Sequence, residues 1–305
     1  MNLVDRTDLV VAGTGFVGSY VLAGAHRAGI SALGIDIAQH GLAQLLAPDC
    51  GPEIACDLRD AVTVAGLIAT SGAQTLVMAA RTAPDDHPSL AEALIRAAIE
   101  GGIRRIVLVS SLAVYGQARP RRDARGLTEA LAPATPSAYG IAKLREELLV
   151  RDAAQRAGIE LVILRSSGLF GRLPAPRSGP GSAAVIDRLL RRYVAGGNPV
   201  LDVEDVADQY LYAGDLAACV LAASRSAPPH EVINVGPGRS LSPSEVQSDL
   251  EAALGTSVDL DVTCPASPAT ATMDTTRLDA WLPCERRGDL VVGLRAAAAD
   301  VARSA

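Results

Sequence analysis

Short apolar runs rich in valine, leucine and isoleucine alternate along the first half of the chain with alanine-rich stretches whose apolar positions recur every three to four residues. A short continuous apolar run bounded by turn residues is the pattern of a strand buried on both faces, and the three-to-four spacing is that of an amphipathic helix. Strands are predicted at 8–12, 31–36, 53–56, 74–79, 105–110 and 160–165. Between them lie "FVGSYVLAGAHRAG", "LRDAVTVAGLIATSG", "PSLAEALIRAAIEGG" and "SAYGIAKLREELLVRDAAQRAG", each closing on glycine, the usual helix stop. Strand and helix in strict alternation predict an α/β fold of the Rossmann type, a doubly wound parallel sheet covered on both faces. After Arg165 the pattern breaks into "GRLPAPRSGPGS", too rich in Pro, Gly and Arg to continue the sheet. The expected organisation is a Rossmann domain over 1–165, with 200–236 returning to it, and a small C-terminal substrate-binding lobe made of 166–199 and 237–305.

Composition narrows the picture. The chain has 305 residues, a net charge of −6 and a pI near 5.3, and its arginines are interspersed with acids, which excludes a basic nucleic-acid surface. No apolar run reaches the ~18 residues of a membrane span, and the N-terminal "MNLVDRTDLVVAG" lacks the apolar core of a signal peptide, so a cytoplasmic protein is expected. Cys50, Cys56, Cys219, Cys264 and Cys284 are scattered without metal-ligand spacing, so free thiols and no metal are expected.

The first chemical motif is "VVAGTGFVGSYVL", in which Gly13, Gly15 and Gly18 form GxGxxG between a predicted strand and a predicted helix. Missing side chains let backbone approach a pyrophosphate at the helix N-terminus, where free N–H groups and the helix dipole favour anions. In that strand–turn–helix context the motif implies dinucleotide binding. Asp36 ends the second strand, 18 residues past Gly18, placed to accept hydrogen bonds from ribose hydroxyls and to repel a 2′-phosphate. The cofactor expected is therefore NAD and not NADP.

The second motif surrounds a compositional oddity. Lys143 is the only lysine among 28 basic residues; the rest are arginine. It follows Tyr139 by four positions at the start of a predicted helix, so the two side chains share a face one turn apart. A phenol is almost wholly protonated at neutral pH, and using it as a base requires stabilising the phenolate by roughly 4 kcal/mol. A nearby ammonium supplies that as a compact charge with three donors, which a planar guanidinium does not reproduce. Upstream, "LVSSLAVYG" puts Ser110 and Ser111 at the carboxyl edge of the sheet, where ligands of open α/β folds bind.

With "GTGFVG", "CDLRD", "VMAA", "VSSLAVYG", "YGIAK", "LRSSGLFG", "YLYAGDLAACVLAA" and "INVG" in this order, the chain resembles the extended short-chain dehydrogenase/reductase family, specifically its NAD-dependent epimerase/dehydratase group. The resemblance implies Ser111 as the catalytic serine, Tyr139 as the acid/base and Lys143 as the ribose-binding lysine. It implies Asp57 and Leu58 beside the adenine and Ala79 and Ala80 beside the nicotinamide. Phe16, Val17 and Ile37 complete the expected cofactor contacts, and Ser111, Ala113, Tyr139, Ser167 and Arg172 the expected substrate contacts. It further implies homodimers formed through the helix carrying Tyr139 and the helix before it.

Departures from the family are equally informative. Its nucleotide-sugar enzymes usually carry GxxGxxG where this chain has alanine at position 12. They commonly place an asparagine where Gly168 stands and an arginine seven residues before the aspartate of the "DLA" segment, where counting back from Asp215 gives Asp208. Two anion contacts are missing, and a buried diphosphate without charge partners is costly. Arg172, Arg177, Arg188, Arg191 and Arg192 could replace them or form a solvated face. "SLAVYG" lacks the Asp-Glu pair of sugar dehydratases after its serine, which disfavours dehydration. The expected function is NAD-dependent hydride transfer at a secondary alcohol or ketone carbon of a small polar metabolite, with a place in secondary metabolism expected. The alternatives are nucleotide-sugar 4-epimerisation and a non-catalytic NAD-binding regulator. An intact Ser111, Tyr139 and Lys143 set argues against the regulator, which needs no phenol.

Overall fold

Alternation of strand and helix is realised throughout the N-terminal part of the computed structural model, which describes residues 7–81, 83–116, 126–176, 182–226, 228, 231–264, 271–282 and 289–303. The order begins β1 (Leu9–Ala12), α1 (Phe16–Arg27), β2 (Ala32–Asp36), α2 (Leu42–Leu46), β3 (Glu53–Ala55), α3 (Ala61–Ser71), β4 (Thr75–Met78), α4 (His87–Glu100), β5 (Arg105–Ser111), α5 (Ala138–Ala157) and β6 (Glu160–Ser166). It continues with β7 (Gly168–Phe170), α6 (Ser182–Val194), β8 (Val200–Glu204), β9 (Tyr210–Tyr212), α7 (Ala213–Ser226), β10 (Glu231–Val235), α8 (Pro243–Leu254), β11 (Asp259–Thr263), α9 (Thr276–Trp281) and α10 (Leu290–Ala302).

Seven parallel strands form one sheet in the order β10-β6-β5-β4-β1-β2-β3. Its strands read as continuous apolar runs because both faces are covered. Along β1, Leu9 and Val11 enter the layer with α1 and α7, while Val10 and Ala12 enter the layer with α3 and α4. Each fully buried aliphatic side chain of this kind stabilises the fold by roughly 1.5–3 kcal/mol. The apolar side of α4 belongs to the second layer through Leu90, Leu94 and Ile95, so core packing accounts for that stretch. Chain direction through the sheet reverses between β1 and β4, which opens the crevice where open α/β folds bind ligands.

The return of the chain to the sheet is narrower than 200–236. β8 pairs with β11 and β9 with β7, all within the lobe, so only α7 and β10 rejoin the Rossmann domain. Lobe and sheet share one continuous core. Polar clamps also join them. Tyr20 of α1 and Tyr212 of β9 both donate to the Asp300 carboxylate of α10, and the Asn234 side-chain amide of β10 donates to the Asp274 carbonyl.

Candidate cofactor site and active site

The glycine loop is shaped by close approach. Gly13 has φ +95°, and a Cβ there would lie 2.3 Å from the Ala80 backbone. A Cβ on Gly18 would lie 1.9 Å from the Gly13 carbonyl oxygen. These two glycines therefore let the β1 turn, the start of α1 and the end of β4 touch. Gly15 differs, because nothing lies within 4 Å of its Cβ position. Packing does not demand glycine there, and the open space sits at the N-terminus of α1, which has no side-chain cap. This is the cradle a pyrophosphate fits. Phe16 and Val17 are partly buried and pack against the core, Phe16 edge-on against Tyr20.

Asp36 is held rigidly. One carboxylate oxygen accepts from the Thr14 amide at 2.7 Å and the other from the Ile37 amide at 2.7 Å. Each oxygen retains a lone pair for a ribose hydroxyl, and the fixed anion opposes a 2′-phosphate. Asp36, Ile37, Asp57, Leu58 and Ala80 line one cavity of about 230 Å³ together with Arg59, Arg81, Asp86 and Leu90. Arg59 binds Asp57 through two nitrogens, and these hydrogen bonds hold the Asp57 carboxyl below the usual carboxylate range. Ala79 lies at the base of the turn, its amide donating to the Ala12 carbonyl. These residues fit a dinucleotide that prefers a free ribose.

Ser111 ends β5, and its Oγ accepts from the Ala113 amide at 3.2 Å, leaving its own O–H for a ligand. Ser137 caps α5 by accepting from the Gly140 amide, which starts the helix two residues before Tyr139. A Cβ on Gly140 would lie 2.5 Å from the Ala113 carbonyl oxygen, so the first turn of α5 packs directly on the turn that follows Ser111. Lys143 is buried, and its Nζ donates to the Val109 carbonyl at 2.9 Å, two residues before Ser111. The structure thus gathers Ser111, Ala113, Tyr139 and Lys143 where α5 meets the end of β5.

Four neighbours escaped the sequence reading. Lys143 Nζ also donates to Glu146 at 2.6 Å. His87, fully buried at the start of α4, brings Nδ1 to 3.7 Å from the same carboxylate and its ring centre to 6.3 Å from that of Tyr139. Arg81 lies over the Tyr139 ring, 5.3 Å from its centre. Next to them, Glu147 accepts from Ser110 and forms a two-nitrogen pair with Arg165, a buried network closed on itself. The three-residue step from Lys143 to Glu146 on one helix was the available signal. His87 and Arg81 reach the site only through the packing of separate elements.

The substrate side departs from expectation. Arg172 is buried, with its guanidinium donating to the Asp300 and Val301 carbonyls, so it anchors α10 and does not present a charge to a cleft. Arg191 is held by Asp187 and the Leu173 carbonyl, Arg188 pairs with Asp202, and Arg192 is exposed; Arg177 lies outside the described residues. A Cβ at Gly168 would lie 2.7 Å from the Gln209 carbonyl oxygen and 2.9 Å from Ser182 Oγ, so no asparagine fits there. Burial pushes the Asp208 carboxyl up. Ser167 is buried with its Oγ unbonded among the described residues, and its amide is tied to β10.

No cluster of metal-ligating side chains occurs among the described residues, and no helix among them is long and apolar enough to cross a membrane. Cys50, Cys56, Cys219 and Cys264 are in no disulfide, and Cys284 lies outside the described residues.

Residues 9–236 match the family model described as the NAD dependent epimerase/dehydratase family. The chain is 29% identical over 279 residues to a UDP-glucose 4-epimerase of Azospirillum brasilense, covering 82% of this chain and 78% of that one. Among solved structures it is similar to Thermotoga maritima UDP-glucose 4-epimerase with UDP-glucose, with a TM-score of 0.80, 20% identity and coverage of 96% and 98% of the two chains. It is also similar to Bacillus cereus UDP-glucuronic acid 4-epimerase in complex with a fluorinated UDP-sugar and NAD, with a TM-score of 0.77, 19% identity and coverage of 98% and 100%.

Proposed function

The chain belongs to the NAD dependent epimerase/dehydratase family and is an NAD-dependent enzyme, and from that premise we propose that it transfers hydride at a secondary alcohol or ketone carbon of a small polar metabolite that carries no nucleoside diphosphate. The observation that supports this reading is the seating of the Tyr139 turn of α5 on the Ala113 carbonyl, with Lys143 anchored at Val109, which packs the helical turn carrying Tyr139 and Lys143 against the end of β5 that carries Ser111. Bound NAD supplies the hydride acceptor and, when reduced, the donor. Gly13, Gly15 and Gly18 make room for its pyrophosphate and Asp36 takes a ribose. Tyr139 removes the proton of the substrate hydroxyl as the alcohol is oxidised and returns it to the oxygen when the ketone is reduced. Ser111 donates to the same oxygen, and Lys143 favours the phenolate.

Exclusion of a diphosphate rests on Gly168, where no side chain fits, on an acid at position 208, and on Arg172 being turned into α10. Thermal-shift titration of the NAD-loaded protein with UDP- and dTDP-hexoses tests it; no stabilisation beyond NAD alone is expected. The second reading, nucleotide-sugar 4-epimerisation, is favoured by the near-complete coverage of solved UDP-sugar epimerases. Strong stabilisation by any such sugar would establish it in place of the first.

A further inference from the structure

Lys143 is not a free ammonium in this site. It is one-half of a buried ion pair with Glu146, the two side chains each only 5% exposed and 2.6 Å apart. An ammonium out of water needs a counter-charge to remain charged, and an ion pair so buried is costly to break from one side. Of the three N–H donors of Nζ, one goes to Glu146 and one to the Val109 carbonyl, and the third has no acceptor among the described residues. Two fixed bonds leave Nζ one direction in which to donate.

We propose that Glu146 is a positioning residue: as an anion it keeps Lys143 charged and aims its remaining donor at the cofactor ribose. This rests on the reading of Lys143 as the ribose-binding lysine. The neighbouring carboxylate, Glu147, has no such freedom, since Ser110 and Arg165 take it. Burial alone would push the Glu146 carboxyl up, but the Lys143 ammonium and His87 outweigh it and hold it below its ordinary value. The other charged or titratable groups around the pair are His87 on α4, Arg165 on β6 with Glu147, and Tyr139 with Arg81 over its ring; Asp85 and Asp86, before α4, are exposed.

Glu146→Gln keeps shape and an acceptor oxygen but removes the charge. Its test is NADH affinity from fluorescence between pH 6 and 10, for the wild type, Glu146→Gln, Lys143→Met and the double variant. The wild type is expected to hold its affinity into the alkaline range. Glu146→Gln is expected to lose about tenfold there, at a pH where the wild type has not changed, because its ammonium gives up the proton sooner. In the Lys143→Met background, Glu146→Gln is expected to change affinity no further and to restore thermal stability, since the lone buried carboxylate disappears. Should Glu146→Gln not fold, Glu146→Asp, which keeps the charge, carries the test and is expected to show the wild-type pH profile. A Glu146→Gln profile parallel to that of the wild type, or an equal loss with Lys143 absent, overturns the proposal. If Lys143→Met itself binds NADH like the wild type, the lysine reading has failed first.

Discussion

The cofactor half of the crevice and the substrate half are built on different terms. Around β1, β2 and β4, recognition is made by absent side chains and by one carboxylate clamped by two amides, Asp36. Around β6, β7 and β9, Arg172 is engaged on α10 and Arg191 on Asp187, and Gly168 is walled in by Gln209 and Ser182. The contrast teaches that one fold can fix the cofactor end by backbone geometry while leaving the side chains of the substrate end free to vary.

Sharpest among the ways to probe this contrast is a pair of glycine substitutions in the cofactor half. Gly13→Ala forces a side chain into a left-handed backbone and onto Ala80, and should cost about 3 kcal/mol or more in chemical denaturation. Gly15→Ala enters open space, so its unfolding curve should match the wild type within about 1 kcal/mol while NAD affinity falls. Equal effects on stability would mean that Gly15 serves packing and not a ligand.

Next in size is Tyr139→Phe. Losing the proton acceptor should lower turnover by at least ~100-fold, or ~2.7 kcal/mol in barrier, with NAD affinity retained. Lys143→Arg should follow, lowering kcat/KM by at least ~10-fold through misplaced donors. In the direction of alcohol oxidation activity requires the phenolate and so rises with pH; with the cation displaced, that rise should move to higher pH. Unchanged turnover and an unmoved profile would reduce the only lysine of the chain to a buried structural ion-pair partner. For Asp36→Ala, titration calorimetry should show NAD affinity falling a few-fold, by roughly 1 kcal/mol, with NADP discriminated against less than in the wild type.

The smallest expected effect belongs to the substrate half. Burial raises the Asp208 carboxyl above its unfolded value, so the folded state holds that proton more tightly. Its stabilising protonation is therefore fully present below the ordinary carboxylate range and is lost as pH rises through the folded value. Asp208→Asn should be modestly more stable at pH 7, with the difference closing as pH falls below the ordinary carboxylate range. A basic side chain recruited to Asp208 on substrate binding would reverse the sign in the presence of that substrate.

Six strands, β1 to β6, could be read from the chain to within about a residue at either end: five carry an apolar run between turn signals, and the short β3, Glu53–Ala55, follows from its place in the strand–helix alternation. The strands of the lobe could not. β7 and β9 are three residues long, and β11, "DLDVT", is largely exposed, so neither length nor burial leaves a period to detect. Of the site, the glycine loop, Asp36 and the step from Tyr139 to Lys143 were legible because each is local: a turn, a strand end and one helical turn.

The chain by itself determined the parts that short-range geometry controls: which residues alternate into strand and helix, where backbone can approach an anion, and which side chains share a helical face. Only tertiary structure decided which charges are free. Arg172 looked available until its guanidinium was found on α10, more than a hundred residues away, and Lys143 looked alone until Glu146 and His87 closed around it. The physical reason is that a charge keeps its chemistry only if water, a partner or a ligand compensates it, and which of these it meets depends on elements distant in sequence that pack beside it.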